Sequence, residues 1–379
     1  MEYLPQDLIY EIVLRLPVKG LIRFSFVSKL WKAVIYSKDF IKEHQQRRSI
    51  NNSKKDFTLI RHGVQSGDFH HFYAASFSAD TLEEEQQIEH PIYSLEEEYG
   101  LGLHTRIITV CHGLVLLGVL CRKATSNYVH LYVWNPVIAK HRHISQPIWP
   151  EGEDPHFTYG IGYHCDEDDL KVLVLRQTGR RPIWKIQFIV CSVATGQWKR
   201  ITKLPPSNLQ VNIFCYYNMV SLSDSRVAWL MADVDYMDLY HVVTFDLVKE
   251  EYNTYRVPIS IRGPGAITLM ELGGFLCFRH RQNIWFMKDS SWSTEPIPLN
   301  NSRPLFFDGE RFLLSRFSGD HKELFWYNIK TQDHQHVTRT GDYAGSFDGA
   351  TTQTAFICGG NLRFLLDGQP DLYAYFCRP

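Results

Sequence analysis

The feature that most constrains the fold is a repeat of two apolar strands joined by a short turn, which recurs along most of the chain. In each copy an apolar strand ends at a turn of small or charged residues, and a second strand follows. Six copies, at intervals of 41 to 57 residues, are centred on Trp134, Cys191, Phe245, Phe286, Tyr327 and Tyr375. Repeats of this length in strand-rich sequence are typical of a β-propeller, whose blades are four-stranded sheets.

A second element precedes several of these hairpins: a small residue or a glycine pair leads into another apolar strand. Examples are His112-Gly113, Gly273-Gly274, Gly359-Gly360 and, more weakly, Asp308-Gly309. Glycine at such positions permits close approach of neighbouring backbones. The two elements predict an all-β domain, a six- or seven-bladed β-propeller that residues 57–77 could help to close. A β-sandwich with irregular loops is the alternative fold.

Composition agrees with a folded, β-rich body. Aromatic residues make up 14% of the chain, hydrophobic residues 44% and charged residues 21%, and rings favour half-buried strands.

The formal net charge is -1 without a polybasic stretch, so no nucleic-acid partner is expected. No signal peptide or long apolar segment is present, so no membrane association is expected. Eight scattered cysteines without a C-x-x-C pair predict reduced thiols in the cytoplasm and/or nucleus.

The first 45 residues follow a helical pattern instead. Leu4, Leu8, Ile12 and Leu16 recur at a spacing of four, which predicts a helix that Pro17 ends. A second apolar segment begins at Leu21, and Ser28 is a favourable N-cap for a third helix. Three short helices bury too little apolar surface to be stable alone. Either a partner protein or the chain's own β domain would cover the surplus, and the pattern does not decide between them.

The first 45 residues resemble an F-box in the order and spacing of Leu4-Pro5, Leu8-Ile9, Glu11-Ile12, Leu14 to Lys19, Leu21 to Phe24, Val27 to Trp31, Asp39 to Ile41 and His44. The segment departs from that family at Gly20, where a small polar residue is usual, and at Leu30, where a basic or small one is usual. The resemblance implies binding to a Skp-type adaptor, and through it to a cullin and a RING subunit. It implies an adaptor-binding surface made of Leu4, Pro5, Leu8, Ile12, Leu16, Pro17, Val18 and Leu21.

The β-rich part is similar to the F-box-associated domain of plant F-box proteins, a kelch-like domain also found in the S-locus F-box-like group. Three segments carry this resemblance: Val133-Trp134-Asn135-Pro136, Tyr159-Gly160-Ile161-Gly162-Tyr163 and Asp168-Asp169-Leu170-Lys171-Val172. The resulting division is an F-box at 1–45, a connecting segment with strands and an acidic loop at 46–104, and an F-box-associated β-propeller domain at 105–379.

The sequence contains few residues whose spacing would suit a catalytic or metal site. Asp166, Glu167, Asp168 and Asp169 are adjacent on one turn and point in divergent directions, and a His164-Cys165-Asp166 triad would need strand neighbours to converge. The pairs His141/His143 and His334/His336 have chelating spacing, but no cysteine joins either pair in sequence. No phosphate-binding or dinucleotide-binding motif occurs. We therefore expect no catalytic residue, no cofactor and no metal.

The expected function is that of a non-catalytic substrate-recognition subunit of a Skp–cullin–F-box ubiquitin ligase, which presents an unidentified protein target for ubiquitination and degradation. The alternative is a propeller-fold hydrolase or glycan-binding protein with a helical N-terminal cap, and a third possibility is an F-box protein that acts outside the ligase. Some members of the resembled family act in pollen recognition or immune-receptor turnover, and the sequence does not choose between them. An acidic segment at 83–98 would suit a basic target.

Overall fold

The structure is a computed structural model, and it describes residues 5–16, 18–37, 39–44, 57–65, 69–78, 81–82, 86–88, 103–121, 130–147, 149, 155–180, 183–211, 219–222, 224–236, 239–258, 267–281, 283–295, 302–318, 321–339 and 354–359. The last expected repeat, at Tyr375, lies outside these residues, as does the acidic segment 83–98 apart from 86–88.

Four short helices form the N-terminal unit: α1 (Gln6–Leu14), α2 (Val18–Ser25), α3 (Lys29–Ile35) and α4 (39–44). The three predicted helices are present, and α4 adds a fourth. Ser28 caps α3 as predicted, because its Oγ accepts a hydrogen bond of 3.1 Å from the backbone N–H of Leu30. No helix in the described part of the chain is long and apolar enough to cross a membrane.

Five sheets are each built from consecutive antiparallel strands. Sheet 1 contains β5 (Leu103–Cys111), β6 (Leu114–Cys121), β7 (His130–Asn135) and β8 (Lys140–Ile144). Sheet 2 contains β9 (His156–His164), β10 (Asp169–Arg180), β11 (Ile183–Ser192) and β12 (Trp198–Ile201). Sheet 3 contains β13 (Leu209–Val211), β14 (Val220–Ser221), β15 (Arg226–Asp233), β16 (Tyr240–Asp246) and β17 (Glu251–Arg256), with both β13 and β14 paired to β15.

Sheet 4 contains β18 (Ile267–Leu272), β19 (Phe275–His280), β20 (Asn283–Lys288) and β21 (Ser291–Glu295). Sheet 5 contains β22 (Arg303–Phe307), β23 (Arg311–Ser318), β24 (His321–Asn328) and β25 (His334–His336). The five central residues of the sequence repeat lie at one position on the third strand of sheets 1 to 5, where β15, β16 and β17 count as the second, third and fourth strands of sheet 3 because β13 and β14 both pair with β15. Each stands opposite a residue of the fourth strand in the same register, in the pairs Trp134–His141, Cys191–Trp198, Phe245–Tyr252, Phe286–Ser293 and Tyr327–His334.

Sheet 6 joins the two ends of the β-rich part. It contains β1 (Phe57–Gln65), β2 (Phe69–Ser78), β3 (Thr81–Leu82), β4 (Gln86–Ile88), β26 (Thr338–Arg339) and β27 (Thr354–Gly359). The C-terminal strand β27 pairs with β1, with Leu59 opposite Ile357. The predicted connecting segment at 46–104 contains the strands at 57–88, and these strands share a sheet with β27. Residue 105 is therefore not a boundary between this segment and the propeller.

Neighbouring sheets pack face to face around a closed ring. Each pair shares one hydrophobic cluster: sheets 1 and 2, 2 and 3, 3 and 4, 4 and 5, 5 and 6, and finally 6 and 1. In β10, Val172 and Val174 face sheet 1, whereas Leu173 and Leu175 face sheet 3, because side chains alternate along a strand. The ring of six sheets confirms the predicted β-propeller and excludes the β-sandwich.

The ring has two different faces. One carries the turns between first and second strands and between third and fourth strands, and we call it the turn face. The opposite one, the connection face, carries the strand ends that lead from the second to the third strand and from one sheet to the next. Of the described residues with positive φ, all except Gly179 and Arg281 lie in the turns of the turn face. Gly113, the Gly273-Gly274 pair and Gly309 lie in these turns, whereas the predicted Gly359-Gly360 pair extends outside the described residues. Gly273 also permits close packing, since a Cβ there would lie 2.2 Å from the Phe307 carbonyl oxygen.

Candidate functional site

The N-terminal helices enclose a small core of their own. Its buried side chains are Val13, Leu14, Val18, Leu21, Ile35 and Phe40. Two hydrogen bonds tie α4 back to α1 and the turn after it. The Tyr10 hydroxyl donates to Glu43 Oε2 over 2.8 Å, and Nε2 of the buried His44 donates to the Leu16 carbonyl over 2.9 Å. The fourth helix thus closes the unit.

Large apolar side chains are unusually exposed on this helical unit. Eight exposed large hydrophobic residues occur in the described part of the chain, and five of them lie within residues 5–44: Leu8, Ile12, Phe26, Val27 and Leu30. Leu8 is 52% exposed and Phe26 is 82% exposed. Exposed apolar side chains concentrated in one unit of a protein are a common mark of an interaction site. We call these five residues the apolar helix surface.

The structure divides the predicted adaptor-binding residues into two groups. Pro5, Leu8 and Ile12 are exposed, and Leu16 is half-buried. Val18 and Leu21 are 2% and 0% exposed inside the helical core, so in this chain they support the helices instead of presenting a surface. Leu4 and Pro17 lie outside the described residues.

Three exposed residues of the apolar helix surface were missing from the predicted set. Phe26 and Val27 form the turn that ends α2, with backbone N–H groups donating to the carbonyls of Arg23 and Phe24. Leu30, in the first turn of α3, stood out in the sequence only as a departure from the family pattern. The available signal was local: Phe26 and Val27 lie in the turn that joins α2 to the N-cap Ser28 of α3, and turn positions usually carry polar residues, glycine or proline.

The helical unit contacts the propeller at a turn of sheet 1. Val137 and Ile138, in the turn between β7 and β8, pack against the helical core. This turn follows Trp134, and Asn135 Oδ1 accepts a hydrogen bond of 3.1 Å from the backbone N–H of Val137. The Trp-Asn-Pro segment therefore shapes the contact. The turn lies on the turn face, so the helices lie on that side of the ring.

The Tyr-Gly-Ile-Gly-Tyr segment on β9 serves packing between sheets. A Cβ on Gly160 would lie 2.5 Å from Met219 Cβ, and a Cβ on Gly162 would lie 2.7 Å from Leu247 Cδ1. Real side chains do not approach that closely. The two glycines allow sheet 3 to pack against β9, which explains the spacing of the segment in structural terms.

The Asp-Asp-Leu-Lys-Val segment on β10 also has a structural role. Asp169 is buried; its carboxylate accepts hydrogen bonds from Lys171 Nζ (2.8 Å), the Ser192 hydroxyl (2.6 Å) and the Ala194 backbone N–H (3.0 Å). Burial lowers the pKa of Lys171, but hydrogen bonds to Asp169 and Glu167 outweigh it and raise the pKa overall. A satisfied network of this kind holds the turn between β11 and β12 in place.

Comparison with known families agrees with both parts of the structure. The sequence matches the F-box domain over residues 1–43 and the F-box associated beta propeller domain over residues 64–297. The chain belongs to the F-box-associated β-propeller family. This F-box protein is 28% identical over 347 residues to an F-box/kelch-repeat protein of Arabidopsis thaliana, covering 83% of this chain and 86% of the relative. It is 24% identical over 400 residues to the F-box protein CPR1 of the same plant, covering 95% and 90%.

Solved structures give only weak likenesses to this F-box protein. Aleuria aurantia lectin in complex with alpha-methyl-L-fucoside overlaps with a TM-score of 0.37 and 10% identity, covering 78% of this chain and 98% of the lectin. A likeness of this size does not bear on what the chain binds. An F-box implies binding to a Skp-type adaptor, and the apolar helix surface lies within the residues that match the F-box.

The polar clusters of this F-box protein do not converge on one reacting point. Asp168 accepts a hydrogen bond from Tyr163, and Glu167 pairs with Lys171, a hydrogen bond that lowers the pKa of Glu167. Cys165 Sγ contacts its neighbour Asp166 over 3.3 Å, whereas Nδ1 of His164 accepts from the Glu167 backbone N–H over 3.2 Å. The sequence neighbours therefore do not form a triad.

The two histidine pairs are engaged by neighbouring rings. His143 Nε2 lies 3.3 Å from His130 Nδ1, and burial, followed by the charges of His130 and His141, lowers the pKa of His143. The His334 ring stacks on Phe325 with a centroid distance of 5.7 Å. Within the described ranges, no group of three or more His, Cys, Asp and Glu side chains could hold a metal ion.

Proposed function

We propose that this chain is a non-catalytic substrate-recognition subunit of a Skp–cullin–F-box ubiquitin ligase. The F-box would bind a Skp-type adaptor and through it a cullin and a RING subunit, while the propeller holds a protein target for ubiquitination and degradation. The observation that carries the proposal is the apolar helix surface, which stays exposed although the same helices already pack on the propeller.

The physical basis of adaptor binding is burial of apolar side chains. Each Å² of apolar surface removed from water contributes about 25 cal/mol, from which the entropic costs of association are subtracted. Leu8 and Ile12 lie four residues apart on α1 and so share one helix face. A partner groove that accepts this face would bury both side chains together.

The contact between helices and propeller gives the F-box protein a defined shape. Because Val137 and Ile138 fix the helical unit to the turn face, an adaptor bound to the helices would stand in a fixed direction from the propeller. Ubiquitin transfer would then depend on proximity, since a held target keeps its lysines at high effective concentration near the conjugating enzyme. The described cysteines Cys111, Cys165, Cys191 and Cys277 are free thiols, which supports action in the cytoplasm and/or nucleus.

Co-purification of the intact chain with a Skp-type adaptor tests the proposal. We expect the intact chain to retain the adaptor and a Leu8→Asp, Ile12→Asp variant to lose it, because two carboxylates would have to be buried without partners. Leu204→Asp is the matched control, since Leu204 is an exposed leucine of the propeller, at 42% exposure. Equal adaptor recovery with the double variant, when circular dichroism shows both proteins folded, would contradict the proposal.

A further inference from the structure

Three histidines share one face at the outer edge of sheet 1. His130 is the first residue of β7, and His141 and His143 lie on β8, the edge strand of that sheet. His143 stands opposite Tyr132, whose side chain packs in the cluster between sheets 1 and 6. Because side chains alternate along a strand, the three imidazoles lie on the side of sheet 6, and all three residues are half-buried.

Two of these rings bring their nitrogen atoms close together. His130 Nδ1 lies 3.3 Å from His143 Nε2, and the ring centroids are 5.4 Å apart. A hydrogen bond of this length would be weak, since N–H donors in proteins usually lie roughly 2.7–3.2 Å from their acceptors. The distance also matches two nitrogens bound to one zinc ion, because two Zn–N bonds of about 2.0–2.1 Å at a tetrahedral angle place the nitrogens about 3.3–3.4 Å apart.

The histidine pair lies at the open end of the hairpin formed by β7 and β8. His130 and His143 are at the ends of their strands on the connection face, whereas the turn at the other end carries Val137 and Ile138, which pack against the helical core. The edge strand β8 has a neighbouring strand on one side only. A metal ion shared by the two rings would therefore add a link between β8 and β7 at the end where no turn joins them.

The surroundings of the pair suit a transition-metal cation. Arg142, which lies next to His143 in sequence, points to the opposite face, where its Nη1 donates to the Val193 carbonyl. Imidazole nitrogens suit zinc and copper, whereas magnesium and calcium prefer oxygen ligands. Within the described part of the chain no third His, Cys, Asp or Glu side chain completes the set, so the remaining coordination positions would be open to water.

We propose that His130 Nδ1 and His143 Nε2 bind one Zn²⁺ ion, whose remaining positions are filled by water. The ion links the edge strand β8 to β7 and so stabilises the hairpin that carries the contact with the helical unit. The site uses no residue of the apolar helix surface, so it is independent of the surface proposed for adaptor binding.

Isothermal titration calorimetry of the intact chain with Zn²⁺, after removal of metal by a chelator, tests the site. At about pH 7.5 the imidazoles are mostly neutral, since the ordinary pKa of histidine is about 6.5, and neutral imidazole is the form that binds a metal. We expect the intact chain to bind one Zn²⁺ ion that His130→Asn and His143→Gln each bind at least about tenfold more weakly, because losing even a residue that only supports a ligand typically costs that much. Mg²⁺ in place of Zn²⁺ should not bind at this site.

His334→Gln is the matched control, because His334 and His336 form the other pair with chelating spacing, on the exposed edge strand β25. This variant should bind Zn²⁺ as the intact chain does. In a second measurement, Zn²⁺ should raise the Tm of the intact chain and of His334→Gln, since a ligand of the folded state stabilises it. The Tm of His130→Asn and of His143→Gln should not respond.

The proposal is overturned if the intact chain binds no Zn²⁺, if a folded His130→Asn or His143→Gln variant keeps the full affinity, or if His334→Gln loses it. Circular dichroism without zinc identifies the folded variants, and one folded variant is sufficient for the comparison. Zinc binding without a rise in Tm would overturn the stabilising role of the ion. Adaptor co-purification uses other residues, so failure of the zinc site is distinguishable from failure of the proposed ligase function.

Discussion

At the scale of single residues, Cys165 differs from the other described cysteines. It is exposed in the turn between β9 and β10, whereas Cys111, Cys191 and Cys277 are buried. Burial, and then the nearby Asp169, raises the pKa of Cys191 to about 11, and burial, then Glu271, raises the pKa of Cys277 well above its usual range. Only the thiolate is nucleophilic, so neither buried thiol is reactive near neutral pH.

This contrast predicts selective alkylation. With iodoacetamide at about pH 8, Cys165 should be modified at least about tenfold faster than Cys191 and Cys277 in the folded chain. Peptide mapping by mass spectrometry gives the modified fraction at each cysteine. The same reagent in denaturant is the control, because all thiols should then react at similar rates. Early modification of Cys191 in the folded chain would contradict the described packing of sheets 1 and 2.

Residue roles set by local geometry were predictable, and those set by packing between distant segments were not. Ser28 could be identified as a cap because its partner, Leu30, is two positions away. The close packing at Gly160 was not predictable, because Met219, which approaches it, is distant in sequence. Val18 and Leu21 matched the family pattern, but the pattern does not distinguish a core position from a surface position.

At the scale of elements, the contact between the helices and the turn between β7 and β8 links the two parts of the chain. Helical periodicity predicted three of the four helices, and repeat spacing predicted the third strand of five sheets. The contact itself was not predictable, since Val137 and Ile138 lie in a turn like those of the other sheets. In sheet 3, Asp246 Oδ1 accepts from the Val248 backbone N–H just as Asn135 Oδ1 accepts from Val137.

That equivalence supplies a matched pair of variants. Val137→Asp should weaken the contact and destabilise the helical unit by about 1–2 kcal/mol, because a half-buried apolar side chain beside the helical core becomes charged. Val248→Asp, at the same turn position in sheet 3, should leave the helices unaffected. Thermal unfolding followed by circular dichroism at 222 nm should show an earlier helical transition for Val137→Asp only. Identical melting of both variants and the intact chain would show that this turn does not hold the helices.

At the scale of the whole molecule, the ring is closed by pairing the two ends of the β-rich part. The repeat predicted a propeller, and β27 with β1 supplies the closure. The sequence analysis expects residues 57–77 to help close the ring, but it does not identify their partner strand β27, because pairing between residues about 300 positions apart leaves no local signal. Closure fixes the turn face and the connection face on opposite sides of the ring.

The measurement that tests this account most directly is hydrogen–deuterium exchange of the intact chain, alone and with a Skp-type adaptor. We predict slower exchange in peptides covering α1 and the turn between α2 and α3, where the apolar helix surface lies, with the strands of sheets 2 to 5 unchanged. Slower exchange confined to the propeller, or no change in α1 when the adaptor is present in excess, would contradict the central claim that this helical unit is the adaptor-binding surface.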